Sequence, residues 1–294
     1  MEIIVEVGTE EQQNLIKEEL SLVEVVIEKY SCTDKLLKII VPQDFDAKIN
    51  EIKETTSYKS SREIQYAIAK TLSTNNGRIL VISPHIYTID YDSQTRALTY
   101  IHETLHIINE DGLPEISSVK HSERQFFYNL LIMFDEYYVN RKSIELCNNI
   151  FPSKSRMYKK HIISELKGHL KALKNNFLYN KIKEEIAKFR IHRNIKLFSN
   201  DSNDYYDQVI KAIAYAFAYI DADPKFRRAE QYICNTPFVN SNTLSLIEMF
   251  RSLYVADNFE NLSRAIPTMI IFYEHLGIKT EDAIGGYYVQ ILDI

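Results

Sequence analysis

The chain has 294 residues, 45% of them apolar and 26% charged, and 35 basic against 40 acidic residues leave a net charge of −5. That length suits two modest domains of roughly 100–200 residues each. The balance excludes a disordered chain, a collagen-like repeat and a disulfide scaffold. With seven Gly and seven Pro, it also disfavours a turn-rich β-sandwich and favours helices.

The chain opens on Met-Glu-Ile-Ile-Val-Glu, acidic where a secretory signal is basic, and this apolar run is short. Later apolar runs, such as residues 212–220 and 266–273, fall below the ~18–20 residues of a membrane span. Cys32, Cys147 and Cys234 are far apart and odd in number, which suggests reduced thiols rather than a metal-thiolate or redox pair. A soluble cytoplasmic protein with no membrane partner is the expectation.

Residues 3–7, 22–28 and 36–41 are β-branched runs of strand length, the last stopped by Pro42. Residues 61–72 carry Ile64, Ala67, Ile68 and Leu72 at helical spacing, with Ser60 or Ser61 as cap. After the Asn75-Asn76-Gly77 turn signal, residues 78–83 form another strand, and an extended piece over 86–91 is expected to follow. Beyond residue 95 the pattern becomes helical, over roughly 95–109, 117–148, 154–174, 177–197, 203–221, 240–253 and 258–277. The fold expected is α+β: an N-terminal α/β domain over 1–150, then a mostly all-α region over 151–294.

Charge is unevenly spread. Residues 1–152 hold 15 basic and 24 acidic residues, 153–197 hold 13 and three, and 198–294 hold seven and 13. The basic segment has no aromatic interleaving, so a solvated or docking helix face is favoured over a nucleic-acid site.

One segment carries chemistry: Ile101-His102-Glu103-Thr104-Leu105-His106. Two histidines four residues apart share one helix face, so both imidazoles reach a single ion. Glu103 is rotated about 100° from His102 around the helix, where its carboxylate can take a proton from a water on that ion. Zn2+ suits imidazole and carboxylate ligands with one position left open. Pro-free sequence surrounds the motif, and Gly112 is well placed to stop the helix.

These residues resemble the zincin metallopeptidases. The metzincin branch places a Gly three and a His six residues past the second motif histidine, where this chain has Asn109 and Gly112. The gluzincin branch takes its third ligand, a glutamate, from a later helix. Glu136 is the best candidate, with Asp135, Glu110, Glu115 and His121 as rivals. Glu136-x-x-x-Asn140-Arg141 is similar to the Glu-x-x-x-Asp-Arg of several gluzincin families, with Asn in place of Asp as a group that could orient a ligand. The resemblance spans roughly residues 60–150. It implies a zincin-like fold and a metal held by His102, His106 and Glu136, which lowers the pKa of its water. Glu103 acts as general base, and a peptide or protein substrate pairs with the edge strand, expected at residues 78–83. Tyr137, Tyr138, His85 and His121 are candidate donors to the tetrahedral intermediate.

Two other readings stand beside this one. The same fold could serve as a regulatory or partner-binding zinc protein, with the helical region meeting a protein partner. A helical interaction or nucleic-acid-binding protein could carry the motif by chance. His161, Glu165 and His169 also recur every four residues, and are expected to be a solvated polar edge rather than a second metal site.

Overall fold

The computed structural model describes residues 1–30, 35–60, 67–88, 91–109, 112–174, 176–283, 286–292 and 294. The protein is α+β, mostly helical with a small sheet. It divides into two compact units, each made of two stretches of chain: Met1–Asp111 with Lys142–Ile163, and Gly112–Arg141 with Ser164–Ile294.

The first unit runs β1 (Glu2–Val5), α1 (Glu10–Lys29), β2 (Leu36–Val41), α2 (Phe45–Lys53), β3 (Ala69–Thr74), β4 (Gly77–Ile82) and α3 (Ser93–Asn109). To these it adds the last residues of α4 (Arg124–Ile150) and the first of α5 (Arg156–Lys174). The sheet order is β1-β2-β4-β3, with β3 antiparallel to β4 and the other pairs parallel. Side chains alternate along each strand. Ile39, Val41, Leu80 and Ile82 face one core, shared with Leu20, Val23 and Ile27 of α1 and Tyr100 and Ile107 of α3. Val81 and Leu72 face the other core, with Phe45 and Ile49 of α2. The turn from β3 into β4 depends on Gly77, whose φ is +147°. A Cβ there would meet the Leu37 side chain at 2.8 Å and the Lys35 carbonyl at 2.9 Å.

Four expectations are corrected here. Residues 22–28 belong to helix α1, not to a strand. A capping box at Thr9 and Gln12 starts that helix, and Leu20, Val23, Val26 and Ile27 make its buried stripe. From Ala69 onward the expected helix 61–72 is strand β3, because the ladder with β4 puts Ala69 and Leu72 on opposite cores; residues 61–66 lie outside the described residues. Pro84–Tyr87 is a 3-10 turn capped by Ser83 rather than an extended piece; residues 89–90 lie outside the described residues. Residues 78–83 do not form an edge, since β4 is flanked by β2 and β3; the edges of this sheet are β1 and β3.

The second unit takes Arg124–Arg141 of α4 and Ser164–Lys174 of α5. It continues through α6 (Phe177–His192), α7 (Ile195–Ala222), α8 (Glu230–Ile233), α9 (Ser241–Ala256), α10 (Ile266–His275), β5 (Ile278–Ala283) and β6 (Gly286–Ile291). The run expected over 177–197 is broken at Arg193, which takes a left-handed conformation, φ +55°, before Asn194 caps α7. The closing antiparallel hairpin β5–β6 had no counterpart in the sequence reading. α7 is the central helix: Val209, Ile210, Ile213, Phe217 and Ile220 are buried, and so are the small residues Ala212, Ala214, Ala216 and Ala218. Around it Phe134 packs edge-on against Phe250 and Phe259, with ring centroids 5.2 and 5.1 Å apart. Lysines of the basic segment, such as Lys160, Lys167, Lys171 and Lys183, face solvent. Among the described residues no helix is long and apolar enough to cross a membrane.

Within the first unit, α3 is fastened to α1 by charge. Arg96 makes a two-pronged bond to Glu19, Nε to Oε1 at 2.8 Å and Nη2 to Oε2 at 2.7 Å. The Tyr100 hydroxyl donates to the same Oε1 at 2.9 Å. Glu19→Gln removes the charge that organises this half-buried group, with an expected loss of about 2 kcal/mol. Urea unfolding checks it as a lower midpoint at unchanged slope.

Candidate metal centre

α3 begins where Asp92 accepts from the Thr95 amide at 2.9 Å and the Thr95 hydroxyl at 2.7 Å, with Ser155 Oγ donating to its other oxygen. Burial opposes ionisation of Asp92, but the bonds from Ser155 and Thr95 outweigh it and hold the carboxyl below its usual range. From that anchor Ala97, Tyr100, Ile101, Thr104 and Leu105 are buried. The half-buried His102, Glu103 and His106 occupy the remaining face.

The two imidazoles meet edge to face, centroids 4.7 Å apart, with Nε2 of His102 and Nε2 of His106 separated by 3.1 Å. Two nitrogens on one tetrahedral zinc, each about 2.0–2.1 Å from the ion, stand roughly 3.3 Å apart. The spacing therefore fits a shared ion with little movement of either ring. Glu103 points its carboxylate at the edge strand: the Thr71 amide donates to Oε2 at 3.0 Å, and the Thr71 hydroxyl lies 3.2 Å from both Oε2 and the Glu103 carbonyl.

Glu136 sits on α4 and is 7% exposed. Its Oε1 is 3.1 Å from Lys211 Nζ, and that ammonium is 4.0 Å from Asp207. The Asn140 side-chain amide donates to the Glu136 backbone carbonyl at 2.7 Å, the back-bonding of a polar side chain one turn along a helix. Within the first unit His102 and His106 offer two nitrogens to one ion, and within the second Glu136 offers a buried carboxylate. Of the rival ligands, Glu110 lies outside the described residues.

The scan against family models and the searches of curated proteins and of solved structures found no match.

The candidate donors to an intermediate have other engagements. Tyr137 donates to Asp221 at 2.7 Å, and Tyr138 to Asp257 at 2.7 Å. Burial first, and then the Asp221 charge, push the Tyr137 hydroxyl well above its usual range. His85 Nδ1 is 3.1 Å from the Thr88 hydroxyl.

In the stripe His161, Glu165, His169 the two histidines are not solvated, because aromatic rings cover them, whereas Glu165 keeps 42% of its side chain exposed. His161 lies against Tyr91 with centroids 5.0 Å apart, and His169 against Tyr215 at 4.8 Å. Burial pushes His161 down to about 4 against the opposing charge of Asp92. It pushes His169 down to about 4 against that of Glu136. Both rings are neutral at pH 7, so the 4.0 Å approach of Glu165 to His169 is not an ion pair there.

Lys211 and His169 are the site neighbours missed in the sequence. Lys211 had a signal: it is the one charge in Val209-Ile210-Lys211-Ala212-Ile213-Ala214.

A histidine kept neutral when folded makes stability fall with acid, because the unfolded chain binds the proton more readily. With His161 at about 4 instead of its ordinary 6.5, that loss develops from pH 6.5 downward and is complete near pH 4. His161→Phe is expected to remove about 2–3 kcal/mol of the acid-side loss over that window. Urea midpoints of the two proteins at pH 7, 5.5 and 4 check it.

Proposed function

We propose that the protein is a zinc-dependent peptidase of the gluzincin type, with a zincin-like first unit. The observation that carries this reading is the 3.1 Å separation of the His102 and His106 Nε2 atoms on one helix face. The His-Glu-x-x-His spacing and the buried carboxylate of Glu136 support it.

In this reading His102, His106 and Glu136 would hold the ion. Zinc in such a site supplies Lewis acidity, which activates water and polarises a carbonyl. Glu103, one residue from His102, accepts the proton of the attacking water and passes it to the leaving amine. Thr71 fixes that carboxylate through its amide and hydroxyl, which limits the positions it can take. An extended peptide substrate adds to β3, the edge strand next to the motif helix, through backbone hydrogen bonds.

A second reading is favoured by one observation. Oε2 of Glu103 is already held by the Thr71 amide at 3.0 Å, which suits a metal site that serves a partner-binding or regulatory role without general proteolysis.

Elemental analysis of protein purified without added zinc is the deciding test. About one zinc per chain in the wild type, lost in His102→Ala and in Glu136→Ala, is the expected result. No zinc after it is offered back to the folded wild type would leave a helical binding protein. Glu103→Gln should keep its zinc and lose about 10²–10⁴-fold in peptide cleavage. Retention of zinc with no cleavage of a peptide library by the wild type would favour the regulatory reading.

A further inference from the structure

Lys211 takes no part in the chemistry above, yet it is set on the carboxylate which that reading gives to the metal. Its Nζ lies 3.1 Å from Oε1 of Glu136, with the lysine side chain 25% and the glutamate side chain 9% exposed. Its neighbours in α7, Val209, Ile210, Ala212, Ile213 and Ala214, are all buried and apolar. Packing alone asks for an aliphatic residue here. A long cationic side chain in such surroundings is expensive to hold unless its charge is used.

Its use follows from Glu136. A buried carboxylate is costly to keep without a cation beside it. Lys211 supplies that cation when no metal is present. A divalent ion on the same carboxylate then lies close to an ammonium of like charge, and their repulsion in a poorly solvated place opposes binding. The second carboxylate near Lys211, Asp207 at 4.0 Å, gives the ammonium another partner when Glu136 turns to the ion.

We propose that Lys211 is a built-in counter-cation for Glu136: it pairs with the carboxylate in the metal-free protein and weakens uptake of a divalent ion by the His102, His106 and Glu136 set. The inference rests on the metal reading proposed above. It differs in sign from a purely orienting role, because loss of an orienting partner weakens metal binding by about 10–100-fold, whereas loss of a counter-cation strengthens it.

The test is zinc affinity of the full chain, read by competition with a chromophoric chelator, together with melting of the metal-free and zinc-loaded forms. Lys211→Met keeps the length of the side chain and removes its charge. It is expected to bind zinc at least about tenfold more tightly than the wild type. Its metal-free form should melt lower than the wild type and recover when zinc is added. Lys211→Arg keeps the charge and should stay within about threefold of the wild type. Weaker or unchanged zinc affinity in Lys211→Met overturns the inference.

Should metal-free Lys211→Met fail to fold, the zinc-loaded Lys211→Gln protein is challenged with excess chelator instead. Slower zinc release than in the wild type supports the counter-cation role, and equal or faster release overturns it. A wild type that binds no zinc overturns the metal reading and this inference together. Zinc lost in His102→Ala, with no tightening in Lys211→Met, overturns this inference alone.

Discussion

A carboxylate inside an apolar helical core must be neutralised, and much of the second unit is arranged around that requirement. Glu136 stands on a helix whose neighbours are Phe134, Tyr137 and Tyr138, all buried. Desolvating an ion without a partner is among the largest penalties a fold can carry. The fold meets it with Lys211 from α7, and it sets an uncharged imidazole, His169, within electrostatic range of the carboxylate. The same logic recurs nearby on a larger scale. Asp221 is met by a two-pronged Arg251, which also reaches Glu230 and Glu248, while Tyr137 donates to the remaining acceptor capacity of Asp221. Helices that would otherwise be tied only by non-directional contacts are thereby given a fixed register.

The motif helix is constrained differently. Its first turn is tied to Ser155 through Asp92, its second to α1 through Arg96 and Glu19, and its third to α1 and Tyr87 through the Tyr100 hydroxyl. Thr71 then fixes Glu103 from the strand side. Every turn before the histidine pair is held by a polar bond to another element. These ties hold the two imidazole nitrogens close, since a helix free to slide or rotate would spread them.

How much of this was legible in the sequence depends on the range of the interaction involved. β2 and β4 are interior strands of the sheet, so their runs are apolar on both faces and stand out, and β2 is found at Leu36–Val41 as read. The motif helix is marked by its own spacing and needs no distant partner to be recognised. Val25, Val26 and Ile27 mislead because β-branched residues have strand propensity. Their burial follows helical periodicity instead, and packing outweighs propensity. β3 is the converse case: Lys70, Thr71 and Ser73 are polar enough to suit many local structures, and only the ladder with β4 fixes them. Lys211 shows locally only as a lone charge in an apolar run and His169 only as part of a four-residue stripe, and what each of them meets lies far away in the chain. The two compact units are hidden for the same reason, since each is assembled from separate stretches and no single shift in composition can mark a boundary.

The grip of Thr71 on Glu103 also bears on the protein's dealings with other chains. An edge strand offers every second backbone N–H outward, and such a row invites promiscuous pairing and aggregation. On β3 one of those outward groups, the Thr71 amide, is already occupied by a carboxylate from the helix behind it. A stray strand arriving at that position must displace a charged acceptor before it gains a hydrogen bond. The grip thus acts as a toll on casual β-pairing, met most readily by a chain that makes further contacts of its own.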